Sequence, residues 1–328
     1  MSRHPATLKH VAQALAVANL SPRQAIGPSF LPRSAPGEFE LVLLDLDIDP
    51  ATPPPELCAQ VAAACKDTPI LVLAGVNARH RLVQALAHTS VVGVVPKIGG
   101  WTESVASEAK LEGPDEQSLG VALRRRVERA AQPQGPAPYL LAGTALEERL
   151  VGSSTDKDDA LGVLLADAAR FGLSDEKVRR IETAADELML NAVYDAPRDE
   201  RGKTLHADID RRTPVVLAAQ AQVRVRWGCD GRTFAVSVAD RFGALERATV
   251  SEHIQRLLDA RSPRLGRSGP GQQSTGGAGL GLVLTYTAAN TLALQVSRGR
   301  FTEATAALHI AGSNRAAVAR GSALHIYD

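Results

Sequence analysis

The sequence predicts an α/β protein of two units. The N-terminal half reads as a doubly wound parallel sheet and the C-terminal half as an α/β sandwich. Three observations carry this. The 328 residues exceed the usual size of one domain. Continuous apolar strands alternate with helices before residue 100, whereas two long helices precede alternating strands after residue 150. Between the halves stands QPQGPAP (132–138), a Pro/Gly/Gln run that cannot extend a helix. The reading is therefore a first domain at 1–112, a helical and Pro-rich linker at 113–138, a second domain at 139–312, and a tail at 313–328 with a further strand.

In the first half, ATLKHVAQALAVANL has apolar residues at helical spacing, and the Leu-rich FELVLLDLDI follows as a strand. PELCAQVAAACKD is helical, PILVLAG is a buried strand, RHRLVQALAHT a helix and VVGVV a third strand. Apolar runs of this kind belong to parallel strands covered on both faces. In the linker, SLGVALRRRVERAA is a polar helix, and its arginines 124–126 and 129 read as a solvated face. The second half opens on DDALGVLLADAARFGL and DEKVRRIETAADELMLNAVYDA, two substantial helices. QAQVRVRWGCDGRTFAVSVAD is a hairpin turning at Asp230-Gly231. A long Gly/Ser-rich loop, SPRLGRSGPGQQSTGGAGLG, leads into the helix LGLVLTYTAAN and the strands ALQVSRGR and TEATAALHI.

Composition narrows the function. With 37 basic residues against 36 acidic, a broadly basic nucleic-acid binder is excluded. Cys58, Cys65 and Cys229 form no CxxC pair, which argues against a disulfide scaffold or a zinc site. There is no apolar signal core at the N-terminus and no run of 18 apolar residues. The expectation is a cytoplasmic protein with neither membrane nor direct nucleic-acid partner.

Three motifs follow one another in the second half. In ELMLNA, Glu187 and Asn191 are i and i+4 and project from one helical face. An amide oxygen beside a carboxylate suits a Mg²⁺ ion bridging phosphates, with the carboxylate orienting or deprotonating a hydroxyl. Taken alone, the pair reads rather as an exposed polar pair on an amphipathic helix. In VADRFG, Asp240 ends a strand at a turn made by Gly243. A carboxylate there can accept a hydrogen bond from a purine amine while glycine admits the ring, and it can also simply cap its own turn. In GGAGLGL, Gly277, Gly279 and Gly281 run into a helix N-terminus, a phosphate cradle. Gly202-Lys203-Thr204 imitates the end of a P-loop, but Pro197 occupies the position of the required upstream glycine.

In this order and spacing, ELxxNA, the D-x-x-G turn and GxGLGL resemble the N, G1 and G2 boxes of the histidine-kinase-like (GHKL) ATPase superfamily over about residues 155–312. The layout of the opening helices is most similar to that of anti-sigma-factor serine kinases. The resemblance implies a bacterial signalling protein that binds ATP with Mg²⁺. Glu187 would be the base and Asn191 the Mg²⁺ ligand. Asp240 would bind adenine, glycines 277, 279 and 281 would hold the triphosphate, and Thr305 would stand where the family uses a threonine near adenine. The partner implied is a regulator or a sigma/anti-sigma-type factor, and the family suggests a homodimer. The chain departs from the pattern at Phe242 and Ala244–Leu245, where glycines are expected. It departs again at VYDAP after the asparagine and in a helical insertion, LERATVSEHIQRLLDA. None of the eight histidines is followed by an acidic residue, so a histidine autokinase is not expected.

The first half resembles, more weakly, a response-regulator receiver domain of flavodoxin-like fold. ELVLLDLDI would place the phospho-acceptor position at Asp45, and VVGVVPK retains a lysine, Lys97. Ala74 replaces the expected hydroxyl residue, and no strand with paired acids precedes the first helix. Without those acids Mg²⁺ cannot assemble beside Asp45, and the residue reads as the end of a strand in a pseudo-receiver used for binding. The terminal ALHIYD resembles a first receiver strand. Two uses are open to it: completing the N-terminal sheet, or adding an edge strand or tail to the second domain.

Overall fold

The computed structural model describes residues 11–16, 38–66, 68–75, 79–97, 114–128, 132–206, 209–260, 278–312 and 321–327. The chain divides into two compact units, one formed by Met1–Arg129 with Ala319–Tyr327, the other by Ala130–Val318. No helix among the described residues is long and apolar enough to cross a membrane.

The first unit is built on three parallel strands in the order β1 (Val42–Asp45), β2 (Ile70–Gly75) and β3 (Val91–Lys97). Helix α2 (Pro54–Ala64) starts with proline in its first turn, where the missing N–H costs nothing. Helix α3 (Arg79–Ala85) packs on β2 and β3. Leu71, Leu73 and Val95 form one apolar cluster with Ala14 and Leu15 of α1 (described over 11–16) and with Leu119, Ala122 and Leu123 of α4 (Pro114–Glu128). The alternate residues Ile70, Val72 and Val94 are buried too, so both faces of the sheet are covered. Helix α4 is therefore no bare linker. Leu119, Ala122 and Leu123 stand at i, i+3 and i+4, a stripe that the arginines around it disguise in composition. Arg125 is likewise buried rather than solvated, with its guanidinium 4.7 Å from the ring centroid of Tyr327.

That tyrosine belongs to β9 (Ala323–Tyr327), which pairs antiparallel with β3 through Gly93–His325 and Val94–Leu324. The terminal segment thus joins the N-terminal sheet. It does so antiparallel and on β3, whereas a strand standing in for the missing first strand would lie beside β1. Gly93 admits the pairing: a Cβ there would sit 2.7 Å from the carbonyl oxygen of Leu324.

The second unit is an antiparallel sheet in the order β7 (Thr291–Ser297), β8 (Phe301–His309), β6 (Thr233–Asp240), β5 (Val223–Cys229) and β4 (Leu146–Val151). Periodicity misses β4. It is an edge strand whose middle residues are exposed, so LEERLV shows no apolar run. Helices α5 (Ser154–Arg170) and α6 (Asp175–Leu190) lay Leu164, Ile181, Ala185 and Leu188 against Val225, Trp227, Val236, Val238 and Ala306. Helix α5 is N-capped by Ser153, whose Oγ accepts from the Asp156 N–H. The inserted helix is present as α7 (Arg247–Ala260), and α8 (Ala278–Ala288) follows.

The other face of this sheet is polar and covered by the Pro/Gly-rich segment. The carboxylate of Glu303, 1% exposed, accepts from the backbone N–H of Gln134 and Gly135 at 2.9 and 2.8 Å. It also accepts from Ser237 Oγ at 2.9 Å and pairs with Arg226 at 3.2 Å. A buried carboxylate is tolerable there because nearly all of its acceptor capacity is used.

Candidate functional site

Helix α6 fixes the first part of the site. Its apolar stripe faces the sheet, which leaves Glu187 and Asn191 on the flank that meets α8. Beyond Leu190 the backbone widens into a π-turn, Asn191–Asp195, which places Asp195 beside the same flank. Glu187 Oε2 and Asn191 Oδ1 are both buried, and neither has a hydrogen-bond partner among the described residues. Both crowd one point on α8: a Cβ on Gly281 would overlap Glu187 Oε2 and approach Asn191 Oδ1 to 3.4 Å. A side chain at 281 would displace the Glu187 carboxylate from this position. Buried oxygens without donors are costly unless a cation or a donor visits them.

The charges around this pair are ordered. Burial pushes the Glu187 carboxyl up, against the pull of Arg211; Asp186 and Asp195 push it the same way as burial. Arg211 Nη2 donates to Asp195 Oδ2 at 2.9 Å, and Nη1 stands 3.7 Å from Glu187 Oε2. The Asp195 carboxyl is also raised, by burial, with Arg211 and Arg198 opposing. Lys157 bonds Asp186 at 2.5 Å and Asp158 at 2.9 Å. Burial lowers its ammonium, but these two carboxylates outweigh it and the pKa rises.

Asp240 ends β6 almost fully buried. Its Oδ1 accepts from Phe242 N at 2.7 Å and Gly243 N at 3.3 Å, so it does cap its own turn. Burial raises its carboxyl, while these bonds and two from Thr302, backbone and side chain, lower it. Gly243 has φ +58°, and a Cβ there would overlap the Ser297 carbonyl oxygen and lie 2.8 Å from Gly299 N. The space beside Gly243 is filled by the β7–β8 turn, so this glycine serves packing within the fold rather than the approach of a ring.

Thr305 needs correction. Its hydroxyl donates to Ser237 Oγ at 3.1 Å, on the polar face with Glu303, whereas Ala304 and Ala306 pack toward the helices. Strand parity puts Thr302, not Thr305, directly across from Asp240. Residues 302 and 305 differ by an odd number, so they face opposite sides. Gly279 lies within α8, and Gly277 lies outside the described residues.

The structure thus brings Glu187, Asn191 and Gly281 together, and places Asp240 beside Thr302. Sequence reasoning missed Thr302, Asp195, Arg211 and Lys157. The first needs the β6–β8 register. Asp195 and Arg211 depend on the π-turn and on the segment after it, and Lys157 on the packing of α5 against α6, none of which a local pattern predicts.

In the first unit, Asp45 is fully buried at the end of β1. Lys97 Nζ lies 2.7 Å from Asp45 Oδ1 and 2.6 Å from Asp47 Oδ2, and Gly75 N donates to Asp47 Oδ2 at 3.0 Å.

Residues 157–305 match the family model of the histidine kinase-like ATPase domain. No curated protein matches the chain.

Proposed function

We propose that the histidine kinase-like ATPase domain at 157–305 binds Mg·ATP, and that the protein is a regulatory kinase that phosphorylates a Ser or Thr of a protein partner. In this reading it resembles anti-sigma-factor kinases, and the first unit recruits the partner. The observation that carries the reading is the buried Glu187–Asn191 oxygen pair, without hydrogen-bond donors among the described residues and pressed against Gly281 of α8.

The donor set fits the group. Asn191 offers one hard oxygen, and no cluster of three His, Cys, Asp or Glu side chains able to hold a metal occurs among the described residues. That suits a cation which keeps its water and phosphate ligands and takes little from protein. Bound nucleotide would supply the transferable phosphoryl group. Glu187, with its carboxyl raised by burial, is suited to orient the partner's hydroxyl and take its proton. Asp240 and its cross-strand neighbour Thr302 would face the base. The Lys157–Asp186 pair holds the α5 and α6 helices in register beside Glu187.

The second reading is a nucleotide-gated scaffold without transfer. It is favoured by the engagement of Asp240 Oδ1 with Phe242 and Gly243, and by the ion pair between Arg211 and Glu187. Glu187→Ala separates the two. In the kinase reading the variant keeps ATP affinity and loses transfer to the partner by at least roughly 100-fold, the scale of one acid–base group. Equal transfer by variant and wild type would remove Glu187 from the chemistry.

A further inference from the structure

The charged flank of α6 is completed from outside its own helix. Arg211 belongs to the segment joining α6 to β5, far in sequence from the three boxes, yet it reaches back to Asp195 and Glu187. Its position is built rather than incidental. The hydroxyl of the buried Tyr194 bonds the carbonyl oxygens of Arg211 and Thr213, at 3.0 and 3.1 Å, and pins the backbone there. Asp195 then fixes the guanidinium through Nη2, leaving Nη1 toward Glu187 at a distance too long for a hydrogen bond. The other cation acting on Glu187, Lys157, is already engaged by Asp186 and Asp158.

We infer that Arg211 is a specificity-determining residue for the terminal phosphate of the nucleotide. This rests on the proposed binding of Mg·ATP. With Nη2 held by Asp195, the remaining donors of the guanidinium would be available to a γ-phosphate, whose oxygens a planar fork matches. Engaged there, the cation would compensate Glu187 less. ADP, lacking that phosphate, leaves Arg211 on Glu187. The site therefore distinguishes ATP from ADP through a residue outside the three boxes, held by the Asp195 of VYDAP.

The test is calorimetric titration of the full chain with Mg·ATP and with Mg·ADP, for wild type, Arg211→Gln, Arg211→Lys and Asp195→Asn. Circular dichroism melts accompany each protein. Arg211→Gln is expected to weaken ATP by roughly 10- to 100-fold, the loss of charge-assisted bonds to one phosphate, with ADP changed less than about threefold. Arg211→Lys keeps the charge without the fork and should fall between. Asp195→Asn, which retains the arginine but loosens its hold, should show a smaller loss of the same sign. An unchanged ATP-to-ADP ratio in folded Arg211→Gln overturns the inference while the ATP reading stands. Wild type that binds neither nucleotide overturns both.

Discussion

Glu187 carries its carboxyl above the ordinary glutamate range because burial removes water from the charged form faster than Arg211 compensates. The consequence for stability has a definite sign. A carboxyl whose folded pKa exceeds the unfolded value binds more protons in the native state, so it favours folding at low pH. That contribution is lost as pH rises from about the unfolded value, 4.5, through the folded one. Glu187→Gln removes the buried charge. Scanning calorimetry should find the variant melting above wild type at pH 7, with the gap closing toward pH 4; a variant that melts below wild type at pH 7 contradicts the account. Gly243 makes a second test at this scale. It needs φ +58° and has the β7–β8 turn against it, so Gly243→Ala should cost more than about 1 kcal/mol in urea unfolding. A neutral substitution would show that the turn yields.

Elements explain which parts of this were legible beforehand. The strands β1, β2 and β3 announce themselves by continuous apolar runs, and the helices α5 and α6 by apolar residues at helical spacing. Strand β4 does not, since an exposed edge needs no apolar face. Helix α4 hides a core stripe under arginines, one of which lies buried on Tyr327. The boxes reveal Glu187, Asn191 and Gly281 by local spacing, and the structure brings these three together. The Thr302/Thr305 choice required the pairing register, which a single strand's sequence does not contain. Strand β9 is the element with the most exposed prediction. All five of its residues are buried and it pairs with β3, and burial keeps His325 neutral, its pKa pushed down to about 3. Deleting Ser322–Asp328 from the full chain should lower the melting temperature of the first unit by several degrees, followed by hydrogen exchange in β3. Unchanged protection of β3 would mean that the strand contributes nothing.

At the scale of the whole molecule, each unit presents a different polar device in a well-packed frame. The first encloses Asp45, Asp47 and Lys97 in a mutual ion-pair cluster, with Asp45 and Lys97 fully buried. The second keeps two oxygens, Glu187 Oε2 and Asn191 Oδ1, buried without a hydrogen-bond donor among the described residues, Glu187 having only the long ion pair to Arg211. Buried oxygens left without hydrogen bonds are costly unless a ligand completes them. In the proposed function Mg·ATP completes them. Calorimetric titration of the purified full chain with ATP, with and without Mg²⁺, tests this. Saturable one-site binding that Mg²⁺ strengthens is expected; absence of binding under both conditions would rule it out.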